Sequence, residues 1–167
     1  RVEDTLFSDN IVGASHGGGI ALVDHPSALP PVGNPFQARL TVGSCSILDN
    51  TAELNGGGIA VLPGEHSTSA TIHSSTFELN TARHGGAIYL ASQHSDFDLF
   101  QILDNLIANN ENSSFDDAKG GGVYLVGTLA EVRGNNFVAN YNRGAGGGLA
   151  MVGDGSAVSE NRFGDGY

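Results

Sequence analysis

Apolar residues recur along this chain in short alternating runs rather than in helical stripes. Ile59 and Val61 flank Ala60, Ile88 and Leu90 flank Tyr89, and GGGIALV (17–23), GGGVYLV (120–126) and GGGLAMV (146–152) follow the same period of two. Alternation with β-branched residues predicts strands. Each run opens on two or three glycines. Ahead of each stands a tetrad of an apolar residue, two variable residues and Asn: FSDN (7–10), ILDN (47–50), FELN (77–80), IANN (107–110) and FVAN (137–140). The tetrads start 40, 30, 30 and 30 residues apart. The register extends upstream. Five residues before each tetrad lies a branched aliphatic (Val2, Val42, Ile72, Ile102, Val132), and two residues before it a small or polar residue (Thr5, Cys45, Ser75, Asn105, Asn135). A sixth copy begins with Val158, Asn161 and Phe163.

One such unit cannot bury its own apolar face. Stacked units can, because equivalent positions then lie over one another and share a core. Parallel strands about 4.8 Å apart would join successive units. The predicted fold is therefore all-β: a parallel β-helix of about five to six coils forming a single domain, 1–167, right-handed as parallel β connections are. The coil is expected to carry Leu40 and Val42 inward on a first strand, and Cys45 and Ile47 on a second. After a turn at Asn50, Ile59 and Val61 face inward on a third. Asn10, Asn50, Asn80, Asn110 and Asn140 are predicted structural turn residues. They would supply the positive φ of a tight corner and bond amide to amide along the axis. Aspartate at Ile88 or Val126 would place an unpaired charge in the core. The chain opens and closes inside a repeat, and Arg1 follows no initiating Met or signal peptide, which predicts a segment of a longer array.

Composition narrows the function. Glycine supplies 25 of 167 residues and the net charge is −11, a balance that repels phosphate backbones and excludes nucleic acid as a partner. Cys45 is the only cysteine, so no internal disulfide forms. No apolar run approaches the ~18 residues of a membrane helix, so this segment is not expected to insert directly into a membrane. No cofactor is expected. Calcium is the ion that the acidic loop 111–119, with Glu111, Asp116 and Asp117, would suit, although that loop lacks the spacing of known calcium loops.

Departures from the period are the places to look for function. They are the proline-rich segment 24–37, the loops 62–70 and 92–98, and the insertion 111–119, which holds the one Asn-x-Ser/Thr sequon at Asn112. Tyr89 and Tyr124 share one outward slot on adjacent coils and are candidate ligand contacts. The six histidines (His16, His25, His66, His73, His84, His94) form no metal-binding pair and read as surface turn residues. No catalytic residue is assigned. Asp9 and Asp49 share a slot, but the following copies carry Leu79, Asn109 and Ala139 there, so carboxylates do not accumulate.

The pairing of FELN (77–80) with GGAI (85–88) resembles the repeats of the chlamydial polymorphic outer-membrane proteins. The other copies replace GGAI by GGGI, GGGV or GGGL, and Phe by Ile at 47 and 107, and the likeness runs through nearly the whole chain. It implies an autotransporter passenger β-helix acting as an extracellular or cell-surface adhesin or structural stalk. Its partner would be a surface protein or glycan of a host or neighbouring cell. The alternatives are a carbohydrate-binding or polysaccharide-active β-helix (a lyase or glycoside hydrolase, if an enzyme) and a filament subunit that self-associates end to end.

Overall fold

The computed structural model describes residues 1–23, 37–64, 67–93, 99–114, 117–127, 129–153 and 155–164. Its strands are short and pair in parallel with the equivalent strand of the next repeat, building a β-solenoid with no helix among the described residues. One coil shows the plan. Ser67–His73 forms the first wall, Thr76–Glu78 the second, Thr81–Ala82 the third and Ile88–Ala91 the fourth. The walls hold six, six, four and five strands respectively.

Two expectations are corrected here. The coil has four walls rather than three, because the chain continues past the recurring Asn turn as a two-residue strand too short to register as a period-two pattern. And four coils are complete. The fifth lacks a third-wall strand, which shrinks to the single bridge Glu111↔Tyr141, and the sixth contributes strands to two walls only.

The repeat register seen in the sequence is the pairing register. Val42, Ile72, Ile102 and Val132 stack in the first wall, and Ile47, Phe77, Ile107 and Phe137 in the second. All are buried and belong to one continuous core. Each contributes roughly 1.5–3 kcal/mol of apolar burial, an amount that no single coil secures without its neighbours. Ile88 points into this core as expected. Val126 does not: it is half-buried at the outward end of its strand, so aspartate there would meet solvent rather than the core.

The tetrad Asn is a hydrogen-bonding post. Asn80 is fully buried; its Oδ1 accepts from the Asn50 N–H and Nδ2 at 3.1 and 3.0 Å. Its own Nδ2 donates to Asn110 Oδ1 at 2.9 Å and to the Ile47 carbonyl at 2.8 Å. The same bonds link Asn10 to Asn50 and Asn110 to Asn140. The positive φ, however, belongs to the residue before: Asp9, Asp49, Leu79, Asn109 and Ala139, with φ between 50° and 58°. The Asn itself must aim its amide inward along the axis, which an ordinary φ permits. The left-handed residue does the turning.

A second axial row lies at the preceding corner. The Cys45 N–H donates to Ser75 Oγ, Ser75 N–H to Asn105 Oδ1, Asn105 to Asn135 Oδ1, and Asn135 to Asn161 Oδ1, all at 2.9–3.0 Å. The sequence aligns these positions as one slot, but their mixed occupancy by Cys, Ser and Asn does not show that they bond along the axis.

Leu79 offers a direct test of the corner geometry. It is 50% exposed at φ 58°, a conformation that disfavours a Cβ-bearing side chain by about 1 kcal/mol and that Asn tolerates best after Gly. Asn109 already fills the slot on the next coil with φ 54°. Leu79→Asn is expected to stabilise the fold by about 0.5–1 kcal/mol, read as a rise of about 2 °C in thermal midpoint.

Candidate functional site

With the interior given over to core and ladders, what differs from coil to coil lies outside. Tyr89 and Tyr124 are register partners on the outer side of the fourth wall, their ring centroids 5.7 Å apart at 62°, edge to face. They are not an open strip. Tyr124 is 8% exposed, with the His84 ring 5.7 Å away on the preceding coil and Lys119 Nζ 5.9 Å from its centroid. Tyr89 is half-buried, and burial, with Tyr124 adding to it, raises its phenol above the ordinary range. The expectation of two equivalent solvent-facing rings therefore holds for neither in full. Tyr124 is the floor and Tyr89 the accessible member.

The corner beside these rings is a column of turn residues. Asn55, His84, Lys119 and Ala145 bridge in sequence between coils, and His16 Nδ1 lies 3.0 Å from Asn55 Nδ2. His16 and His84 thus occupy one column, with Asn55 between them. The His84 Nδ1 is buried without a hydrogen-bond partner. Desolvation, then the Arg83 charge and, less strongly, Lys119, hold His84 below its usual range against an opposing pull from Asp117; desolvation lowers His16.

Both shifts make the fold acid-sensitive. A histidine whose folded pKa lies below the unfolded value of about 6.5 takes up its proton first in the unfolded chain. Its stabilising contribution is complete above that value and is lost as pH falls below it. The thermal midpoint is expected to drop between pH 7.5 and pH 5.5. His84→Asn, which copies the Asn55 occupant of the column, should lessen the drop.

Asn112 corrects the sequon reading. It is 1% exposed, and both side-chain polar atoms are buried and unpaired. It points inward in the third wall, in the slot filled by Ala52 and Ala82 on earlier coils. An inward amide on a paired strand is closed to a glycosylating enzyme in the folded protein.

Among the described residues no three His, Cys, Asp or Glu side chains converge as a metal-binding group. Asp116 lies outside the described residues, as do His25, His66, His94 and most of the segments 24–37 and 92–98. Asp9 and Asp49 sit exposed at left-handed corner positions. The first wall carries a polar row instead: Thr71 Oγ1 donates to Gln101 at 3.3 Å and Gln101 Nε2 to Glu131 at 3.0 Å. Glu131 also pairs with Arg133 at 3.2 Å. Hydrogen bonds from Gln101 and then Arg133 lower its carboxyl, so it is a committed anion rather than a proton donor.

One further grouping was overlooked in the sequence. Thr81, Glu111 and Tyr141 are mutual partners across coils. Two residues beyond each stand Arg83, Ser113 and Arg143, so the two arginines share a column, one that the 30-residue spacing of the tetrads already gives. Ser113 N–H donates to the Ala82 carbonyl at 2.8 Å, which carries the register past the strand.

Residues 74–91 match the sequence model of the Chlamydia polymorphic membrane protein repeat. They include Phe77, Asn80, both glycines of the Gly85–Gly86 pair and Tyr89. No curated protein and no solved structure matches the chain. The matched repeat comes from a family of outer-membrane proteins, which suggests a surface-associated β-solenoid.

Proposed function

We propose that this chain is the rod of a cell-surface or extracellular adhesin, a stalk that holds its outer residues against a partner on another cell. The supporting observation is the division of labour across the wall. Inward slots repeat the same few residue types and bond to one another. Outward slots and corner insertions change from coil to coil, from Ala21 and Ala60 to Tyr89 and Tyr124 in one column. A scaffold that varies most where it meets solvent is suited to displaying chemistry on its outer face. Among the described residues Glu131 and Glu160 both lie against Arg133, at 3.2 and 3.8 Å, which holds them as ion pairs, whereas a hydrolytic reading needs a carboxyl that keeps its proton.

Beads coated with the chain should adhere to a panel of animal and bacterial cells above albumin-coated controls, and soluble chain should compete. Adhesion no greater than the control across the panel sinks the proposal.

A further inference from the structure

We propose that the corner between the third and fourth walls binds an anionic glycan, one bearing uronate or sulfate groups, through Arg83, Lys119 and Arg143 with Tyr89 as the stacking surface. This rests on the adhesive reading above and names the chemistry of its partner. Three of the chain's seven Lys and Arg residues meet at this corner, although the whole chain carries a net charge of −11. Among the described residues the acids beside them are Asp117, whose carboxylate is 3.6 Å from Lys119 Nζ, and Glu111 on the third wall. Glu53, in the Arg83 column one coil earlier, is engaged by the Ala14 N–H. Among the described residues the corner thus sets three cations against three carboxylates, Asp117, Glu111 and Glu53, where the whole chain carries a net −11. His84 lies beneath with Nδ1 buried, so at neutral pH the positive charge facing solvent is that of the long side chains.

The aromatic pair selects among anions. Tyr124 is braced by His84, Lys119 and Tyr89, which leaves Tyr89 held in place with part of its ring exposed. A rigid half-exposed tyrosine offers an apolar body and a polar tip, suited to the C–H face and hydroxyls of a sugar ring. An extended acidic peptide would instead seek an open strand edge. The strands carrying Tyr89 and Tyr124 are each paired on both sides within the fourth wall.

The test uses the whole chain on surfaces of dextran sulfate, polygalacturonate, neutral dextran and polyglutamate. Binding to either anionic polysaccharide, weakening with salt and absent on neutral dextran, is expected. Arg83→Ala with Lys119→Ala should weaken it at least tenfold, and Tyr89→Ala severalfold. Arg39→Ala with Arg162→Ala, the same charge change elsewhere on the surface, should leave it within twofold. Circular dichroism shows whether each variant keeps its fold, and a variant that does not is replaced by the Lys119→Gln single change. Equal losses in the two double variants, tighter binding to polyglutamate, or no binding to either anionic polysaccharide would overturn the assignment. Cell adhesion is measured separately, so failure here leaves the adhesive reading standing or fallen on its own result.

Discussion

Gly86→Ala is expected to prevent folding. A Cβ on Gly86 would lie 2.2 Å from the Gly121 carbonyl oxygen and 2.5 Å from that of Glu111. Both are backbone atoms of the next coil, in paired or bridged chain that cannot move without breaking the wall above. Gly57 and Gly121 are similarly confined, with backbone oxygens at 2.3 Å. This is a steric requirement and not one of φ. The left-handed glycine is its neighbour, Gly85, at 59°. The chain there runs from the third wall into the fourth and passes the third-wall carbonyls too closely for any side chain. Losses above 4–5 kcal/mol are exceptional for a point change, and this one belongs among them. Expression should yield insoluble chain or a circular dichroism spectrum without the native β signal. Gly13→Ala is the control, since nothing lies within 4 Å of its Cβ. It should fold as the parent does. A soluble, cooperatively melting Gly86→Ala chain would show that the close approach is not needed.

Asn80→Ala is expected to cost roughly 3–5 kcal/mol, two or more unsatisfied buried groups at about 1–3 kcal/mol each. The change removes both bonds donated by Asn50 and both bonds donated by Asn80, and leaves the Asn50 N–H without its partner in a fully buried site. A fall in thermal midpoint of about 10 °C follows from the size of the chain. Asn10→Ala bounds the effect from below. Asn10 is exposed and its side chain only donates, to Asn50 Oδ1, so its loss should cost less than about 1 kcal/mol. Asn80→Asp separates hydrogen bonding from shape. The carboxylate keeps the size and accepts from Asn50, but cannot donate to Ile47 or Asn110, and it places a charge in the core. It should be at least as damaging as alanine. Equal midpoints for Asn80→Ala and Asn10→Ala would refute the load assigned to the row.

The repeat was legible because its physics is local in register. A strand slot that must be apolar in one coil must be apolar in the next, so Ile47, Phe77, Ile107 and Phe137 mark their own partners. The third wall was not legible. Thr81–Ala82 is two residues long, and its inward member is a small Ala that makes no apolar signal. The turn at Asn80 was placed correctly in space, but its conformational burden was given to the wrong residue. Asn is common at positive φ, and sequence alone does not show that its amide is already committed along the axis. At the candidate corner, Tyr89 and Tyr124 were visible as a shared slot. The burial of Tyr124 was not, because His84 and Lys119 reach it from turns of different length. The insertion between Asn112 and Lys119 likewise concealed the alignment of His84 with Lys119, whereas Arg83 and Arg143 stand two 30-residue periods apart and were there to be read. Solenoid walls conserve register through insertions, while sequence spacing does not.

The amide rows also have a direction. In each amide-to-amide bond, the donor sits in the earlier coil and the acceptor in the later one: Asn10 to Asn50, Asn50 to Asn80, Asn80 to Asn110, Asn110 to Asn140. The second row runs the same way, from Asn105 to Asn135 to Asn161. Aligned bonds of this kind polarise one another, so the rod is electrically vectorial along its length, with two parallel lines of dipoles set at different corners. Coils join head to tail because an outgoing donor meets an incoming acceptor. Turned end for end, a coil would meet one neighbour donor to donor and the other acceptor to acceptor. The rows therefore act as an arrow within the solenoid, fixing the sense in which one coil can follow another, independently of the apolar core, which has no such sense.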